Sequence, residues 1–431
     1  MASETRRSVF ERELSPATHA RIRLQLVLLP VYAWLFYGWM LLLVRPPQHR
    51  PVGDFAHFYT QGAVAFERNA HALYDRDEQA AIMTRLLPGT DLRFPTVYGP
   101  QVSVFFMPLT RIPYFGAVYA WLAFTLLAYA ACGYALWRVC PRLRDRPWTI
   151  VVLLVAAPAL HFVLSFEQVS ALGLVCVTAA YLALRADRLF LAGLAIGSLA
   201  YKPPLGLAAA AIFVLAGEWR IVVGAVTAAA AQLAIGCLYW GPSILRGYLA
   251  ALLRLRDVAL DMEPFRNHMH SWRAFFDLLG LPSRLALAAY VVASVFTLFV
   301  ALRCWRARGP LALRYSVFLF ATVLVDPHLY AYDLVLLIPA FLLLWDWSLA
   351  ERDRPISEVF PRLPLGGLRR RSFNQLFQWL LYFCYFSPLF SMLATAARLQ
   401  VSVLALSLLG LVVAAVLRST PRSVGKLSTA V

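Results

Sequence analysis

Charge is the scarcest property of this 431-residue sequence: 15% of its residues are Asp, Glu, Lys or Arg, while 61% are hydrophobic. With a mean hydropathy of +0.65, the chain falls outside the usage of soluble globular domains. Acids are fewer than bases, 23 against 40 Lys and Arg, leaving a formal charge of +17. In a soluble protein that surplus would suggest nucleic acid. Here the arginines lie between apolar runs, where they fix topology and meet anionic lipid, so nucleic acid is not expected as a partner. Lysine is scarcer still, since Lys202 is the only one before Lys426. The six cysteines, Cys132, Cys140, Cys176, Cys237, Cys304 and Cys384, include no CxxC pair and read as small core hydrophobes. No disulfide, metal or cofactor is predicted. The two halves also lack the internal repeat that transporters usually show.

What the sequence does hold is a series of uncharged runs of 17 residues or more, each long enough at roughly 1.5 Å per residue to cross a hydrocarbon core of about 30 Å. They are too long and too uniformly apolar for barrel strands, so helices are the remaining way to satisfy the backbone in lipid. The first run, 24–44, exceeds a signal-peptide core, has arginines on both flanks and lacks a small-residue cleavage site, so it reads as a retained helix. Further spans are expected at 114–137, 148–164, 168–184, 189–201, 204–217, 221–241, 285–302, 312–325, 329–345, 376–397 and 399–417. The fold class is an all-α polytopic membrane protein of about twelve transmembrane helices. A single integral membrane domain at 24–417 lies between tails at 1–23 and 418–431.

Orientation follows from the basic short segments at 138–146, 185–188, 303–308 and 369–371, together with Arg6, Arg7 and Arg418. Placing all of them inside puts both termini in the cytoplasm and two long segments, 45–113 and 242–284, outside the membrane. Those two segments combine Tyr, His, Asp, Arg and Pro, and chemistry is expected there. The short spans around Tyr201-Lys202-Pro203-Pro204 read as a hairpin of half-length helices broken at the prolines, a device that often borders a binding cavity. The inner segment 346–375 is expected to meet lipid headgroups.

Asp54 is the most informative residue. It follows the first run inside Gly53-Asp54-Phe55, and an acid at membrane level must be solvated by a cavity or paired with a base. A catalytic base and a loop cap are its two readings. Asp75-Arg76-Asp77 spells a DxD that could share a divalent cation, but acids at a helix start are the favoured explanation. Glu167-Gln168 sits in a very short outer turn with polar side chains that can look into the bundle. Lys202 either snorkels to the interface or binds an anion such as phosphate. In Arg266-Asn267-His268-Met269-His270-Ser271-Trp272-Arg273, the arginines and His270 suit phosphate or sugar contacts better than a metal. His328, in Asp326-Pro327-His328, either exchanges protons or donates to a phosphate, or caps a helix. Tyr59, Tyr98 and Tyr332 complete the substrate-binding candidates.

The order of these pieces resembles glycosyltransferase family 87, membrane enzymes of the GT-C type that use polyprenyl-phosphate sugars. The resemblance runs over about residues 50–345. It rests on Gly53-Asp54-Phe55 with Tyr59, Leu73-Tyr74-Asp75, Tyr98-Gly99-Pro100, Glu167-Gln168, Tyr201-Lys202-Pro203, and His328 with Tyr332-Asp333. It implies a GT-C-like bundle with an acceptor-activating Asp in the first outer loop, which falls on Asp54. It also implies a histidine near the reaction centre in the later outer turn, which falls on His328. Family members often show Gly-Gln where this chain has Glu167-Gln168, and their Asn-x-Ser motif is only loosely echoed by Asn267 to Ser271.

The expected activity is transfer of a hexose, mannose first, from a polyprenyl-phosphate donor to a lipid or glycan acceptor. The reaction would be inverting, with Asp54 and His328 catalytic, on the extracytoplasmic face of the plasma (inner) membrane. Membrane lipids are the remaining expected partners. A transporter or flippase of lipid-linked sugars and a cell-envelope glycan polymerase or ligase are the rival readings.

Overall fold

A computed structural model describes residue 34 and residues 53–90, 92–95, 97–254, 266–351, 355–360 and 372–419. The expected first helix lies outside these except for Trp34, as do the expected tails at 1–23 and 418–431, apart from Arg418 and Ser419, and the arginines at 369–371. The described chain is helical throughout, with two isolated bridges, Met269 with Tyr330 and Pro355 with Ser372, in place of any strand.

The elements that position the site are α1 (Phe55–Phe66), α2 (Pro100–Phe106), α3 (Tyr114–Val139), α4 (Pro147–Val155), α5 (Pro158–Ser165), α6 (Ser170–Arg185), α7 (Leu189–Gly197), α8 (Pro203–Ala216), α9 (Trp219–Trp240), α10 (Ser283–Trp305), α11 (Leu311–Val325), α12 (Ile338–Ala350) and α13 (Val401–Ser419). Among the described residues, five helical stretches are long and apolar enough to cross a membrane, or six if α4 and α5 count as one bent span. The expected figure of about twelve is not reached by that criterion, because α6, α8 and α11 and the Leu189–Tyr201 stretch are apolar but shorter. Exposure follows the same logic. On α10, Leu287, Val292 and Val295 face outward, and on α9 Val226 and Leu238 do, so apolar surface is turned out where a soluble protein would bury it. The chain is a multi-pass membrane protein.

Two departures from the expected path have local causes. The span expected at 148–164 bends by 44° between α4 and α5. Pro158 has no N–H for the carbonyl four residues back, and that carbonyl, on Leu154, instead accepts from the Tyr129 hydroxyl at 2.8 Å. The first expected outer segment is no open loop over 55–66: α1 is buried along nearly its whole length, because twelve residues without a charge suit burial against α2 and α3.

Close helix contact follows from small residues. A Cβ on Gly193 would lie 2.1 Å from the Ile221 carbonyl oxygen, and one on Gly224 would lie 2.3 Å from that of Phe190. The backbones of α7 and α9 therefore meet as small-residue membrane interfaces do. The bundle has two chemically distinct ends. At one, Arg185 donates to the Val139 carbonyl, Asp346 accepts from the Leu143 N–H, and Trp305 donates to Glu218. Each of α3, α6 and α12 runs from this basic end to the other, where the acids of the site gather.

Candidate active site

Asp54 stands at the N-terminus of α1 and is tied to a turn more than a hundred residues away. Its N–H donates to the Phe166 carbonyl at 3.1 Å, and Gln168 Nε2 donates to its Oδ2 at 2.5 Å. Gly53 leaves room for this docking, since a Cβ there would lie 2.5 Å from Glu167 Oε2 and push that side chain aside. Glu167 adopts a φ of +56°, uncommon for a side chain with a Cβ, which turns the α5–α6 connection tightly enough to point Gln168 at the acid. Burial raises the Asp54 carboxyl to about 6, against the lowering effects of the Gln168 hydrogen bond and the Lys202 charge.

Asp54 lies on the wall of a cavity of about 270 Å³, with His57, Phe58, Arg93, Phe94, Tyr98, Phe166, Gln168, His328, Tyr330 and Tyr332 among its other lining residues. Tyr98 reaches the wall because its carbonyl is held by the Tyr74 hydroxyl at 3.2 Å. His328 is presented from the turn after α11, where its N–H donates to Asp326 Oδ1 at 2.7 Å. Its ring meets Tyr330 edge-on at 5.2 Å, and Tyr330 stacks on Tyr332 at 5.4 Å. Asp326 is wholly buried, which pushes its carboxyl up to about 6.

Behind this wall lies an ion pair. Lys202 Nζ is 2.5 Å from Asp333 Oδ2 and 5.3 Å from the centre of the Tyr332 ring. Ser170 donates to the other Asp333 oxygen at 2.7 Å. The residue before a proline is pushed out of the helical region, and Lys202 accordingly has φ −119° and ψ 88° at the head of α8. Two short apolar helical stretches flank it, as its prolines imply.

The structure thus gathers Asp54, Tyr98, Gln168, His328 and Tyr332 around one cavity. It does not bring every candidate there. Lys202 is committed to Asp333, and Glu167 packs on Gly53. Tyr59 donates to the Ile112 carbonyl at 2.9 Å. His270 is fully buried between Ser402 at 2.5 Å and Ser391 at 3.2 Å. Arg273 contacts the Pro327 carbonyl at 3.3 Å, and Arg266, at the edge of the undescribed 255–265 segment, is not a lining residue. Asp75 caps the helix that follows it, accepting from the N–H groups of Asp77 and Glu78 at 2.9 and 3.0 Å. Lining residues not singled out in the sequence include His57 and Arg93; Arg93 pairs with Asp77.

A second, almost wholly apolar groove of about 390 Å³ runs between α2, α6 and α9. It abuts the same partition: Val169 and Tyr201 line it, next in sequence to Gln168 and Lys202, and Phe106 lines it while stacking on Phe58 of the cavity at 5.0 Å. Exposed Phe105, Val175 and Ile235 form its rim.

The fold and these two spaces define an integral membrane protein with a buried acid in an aromatic-walled cavity beside an apolar groove with an exposed apolar rim. The sequence model of glycosyltransferase family 87 matches residues 96–327, more than half of the chain, and the chain belongs to that family. It is a membrane glycosyltransferase. Asp54 precedes the matched segment and His328 directly follows it. Neither a curated protein nor a solved structure matches the chain.

Proposed function

We propose that the protein transfers a hexose, mannose first among candidates, from a polyprenyl-phosphate carrier to a hydroxyl of a lipid or glycan acceptor on the extracytoplasmic side of the plasma (inner) membrane, with both chain termini in the cytoplasm. The observation that carries this reading is the adjacency of the acid-bearing cavity and the apolar groove. A sugar ring suits the aromatic wall of the first and an isoprenoid chain suits the second, so the sugar–phosphate bond between them would fall near the shared partition.

Asp54 is the base in this reading. It takes the proton of the acceptor hydroxyl as that oxygen attacks the anomeric carbon. The bond from that carbon to the phosphate oxygen breaks in the same displacement, and the electron pair leaves on the polyprenyl phosphate. Direct displacement inverts the anomeric centre, by the same logic that separates inverting from retaining hydrolases. His328 and Arg93, both on the cavity wall, are suited to donate to the departing phosphate. Lys202 contributes a positive field from behind Tyr332, although Asp333 offsets it.

The test is purified protein in detergent with radiolabelled polyprenyl-phosphate mannose and a lipid extract. Covalent sugar transfer by the native chain is expected, with a loss of about 10²–10⁴-fold in Asp54→Asn at unchanged folding. Retained turnover in that variant removes Asp54 as the base, and counterflow without product would favour a transporter.

A further inference from the structure

His57 has no role in the mechanism above, yet it lies on the cavity wall one turn along α1 from Asp54. Its side chain is 4% exposed. Gln61 presents its amide nitrogen to His57 Nε2 at 3.1 Å. In this amide orientation the nitrogen only donates, so the ring nitrogen facing it accepts, and the proton of the neutral ring is assigned to Nδ1. Burial keeps the ring neutral, with its pKa pushed down to about 3. Nδ1 has no hydrogen-bond partner among the described residues. A buried donor without a partner is uncommon in folded proteins, and in a cavity it marks a place where a ligand oxygen completes the bond.

The surroundings narrow the ligand. Phe94 and Tyr98 lie 5.3 and 5.9 Å from the imidazole, and Phe58 is 5.5 Å away on the helix itself. A neutral donor among aromatic rings suits the hydroxyl or ring oxygen of a sugar, because a phosphate is better met by cationic groups. For a sugar to reach the buried Nδ1 a neighbouring side chain must shift, and Phe94 and Tyr98, which line the cavity beside the imidazole, belong to an irregular segment, 92–95 and 97–98.

We propose that His57 is a specificity-determining residue, its Nδ1–H donating to one oxygen of the sugar bound in the cavity and so helping to decide which hexose is transferred. The proposal rests on the glycosyltransfer reading and adds the residue that reads the sugar.

Asparagine places an N–H close to the position of histidine Nδ1, glutamine places one close to Nε2, and phenylalanine supplies neither. Steady-state transfer is measured for the native protein and for His57→Asn, His57→Gln and His57→Phe, with polyprenyl-phosphate hexoses and their monodeoxy analogues as donors. His57→Phe and His57→Gln are expected to raise the donor KM about tenfold with little change in kcat, and His57→Asn to stay within about threefold of the native chain. The native protein is expected to disfavour one deoxy position by about tenfold, a preference that His57→Phe and His57→Gln lose. Native KM and an unchanged deoxy profile in His57→Gln overturn the proposal even if His57→Phe fails to fold. So does a His57→Asn variant as impaired as His57→Gln. Transfer by the native chain with unaltered variants sinks the role of His57 alone, whereas no transfer from any donor sinks the glycosyltransfer reading with it.

Discussion

At the scale of single residues, the state of Asp54 is set by opposing effects whose balance has a measurable sign. Burial moves its carboxyl from an ordinary 3.8 to about 6. As a base it must be ionised, so the rate of transfer is expected to be level above about pH 6 and to fall about tenfold per unit below it. Stability runs the other way. The folded chain holds this proton to higher pH than the unfolded chain does, so ionisation of Asp54 costs stability that sets in as pH rises from 3.8 to about 6. Gln168 lowers the carboxyl through its hydrogen bond, so Gln168→Leu is expected to move the acid limb of the pH–rate profile upward. A limb unmoved in that variant would mean that another group controls it. The residue types at the cavity were legible where a polar group broke an apolar run, as with Asp54, Gln168 and His328. His57 was overlooked because it sits inside an aromatic stretch that reads as core. His270 was placed with the substrate contacts because its serine partners lie 121 and 132 residues away, beyond the reach of any local pattern.

Between elements, the Lys202–Asp333 pair ties the head of α8 to the chain just before α12. Both side chains are buried, so removing one leaves the other without its partner. Lys202→Met is expected to destabilise the protein by about 3–5 kcal/mol, and the double change with Asp333→Leu by clearly less, as buried ion pairs generally behave. Thermal unfolding in detergent decides this; a double variant no better than the single would break the argument. The sequence carried the placement of Lys202 between two short helices, because the prolines after it act locally. It did not carry the burial of α1. A helix of Phe, Ala, His, Tyr and Gly is too short to span a membrane, and its hydrophobicity declares itself only against α2 and α3.

At the scale of the whole molecule, eleven of the twelve expected spans coincide with helical chain, and the remaining one, 24–44, falls outside the described residues but for Trp34. The alternation of apolar runs and arginines made the helical segments readable, whereas the lengths that decide which runs cross a bilayer depend on bends such as that at Pro158. The orientation proposed from the arginines has a direct check. Cysteine placed at exposed His71 should react with an impermeant maleimide added outside intact cells, and cysteine at exposed Arg144 only after permeabilisation. The native cysteines are buried or half-buried, which keeps the background low. The reverse pattern would put the site in the cytoplasm.

The apolar groove between α2, α6 and α9 carries the exposed apolar side chains Phe105, Val175 and Ile235 at its rim, the kind of surface that a membrane chain turns to lipid. A carrier entering there arrives by two-dimensional diffusion, and the quantity that governs saturation is its mole fraction in the bilayer, not its concentration in the tube. In proteoliposomes with protein and donor held constant, adding inert phospholipid should therefore slow transfer in proportion to the dilution. A rate indifferent to added lipid would indicate that the carrier reaches the site from the aqueous side.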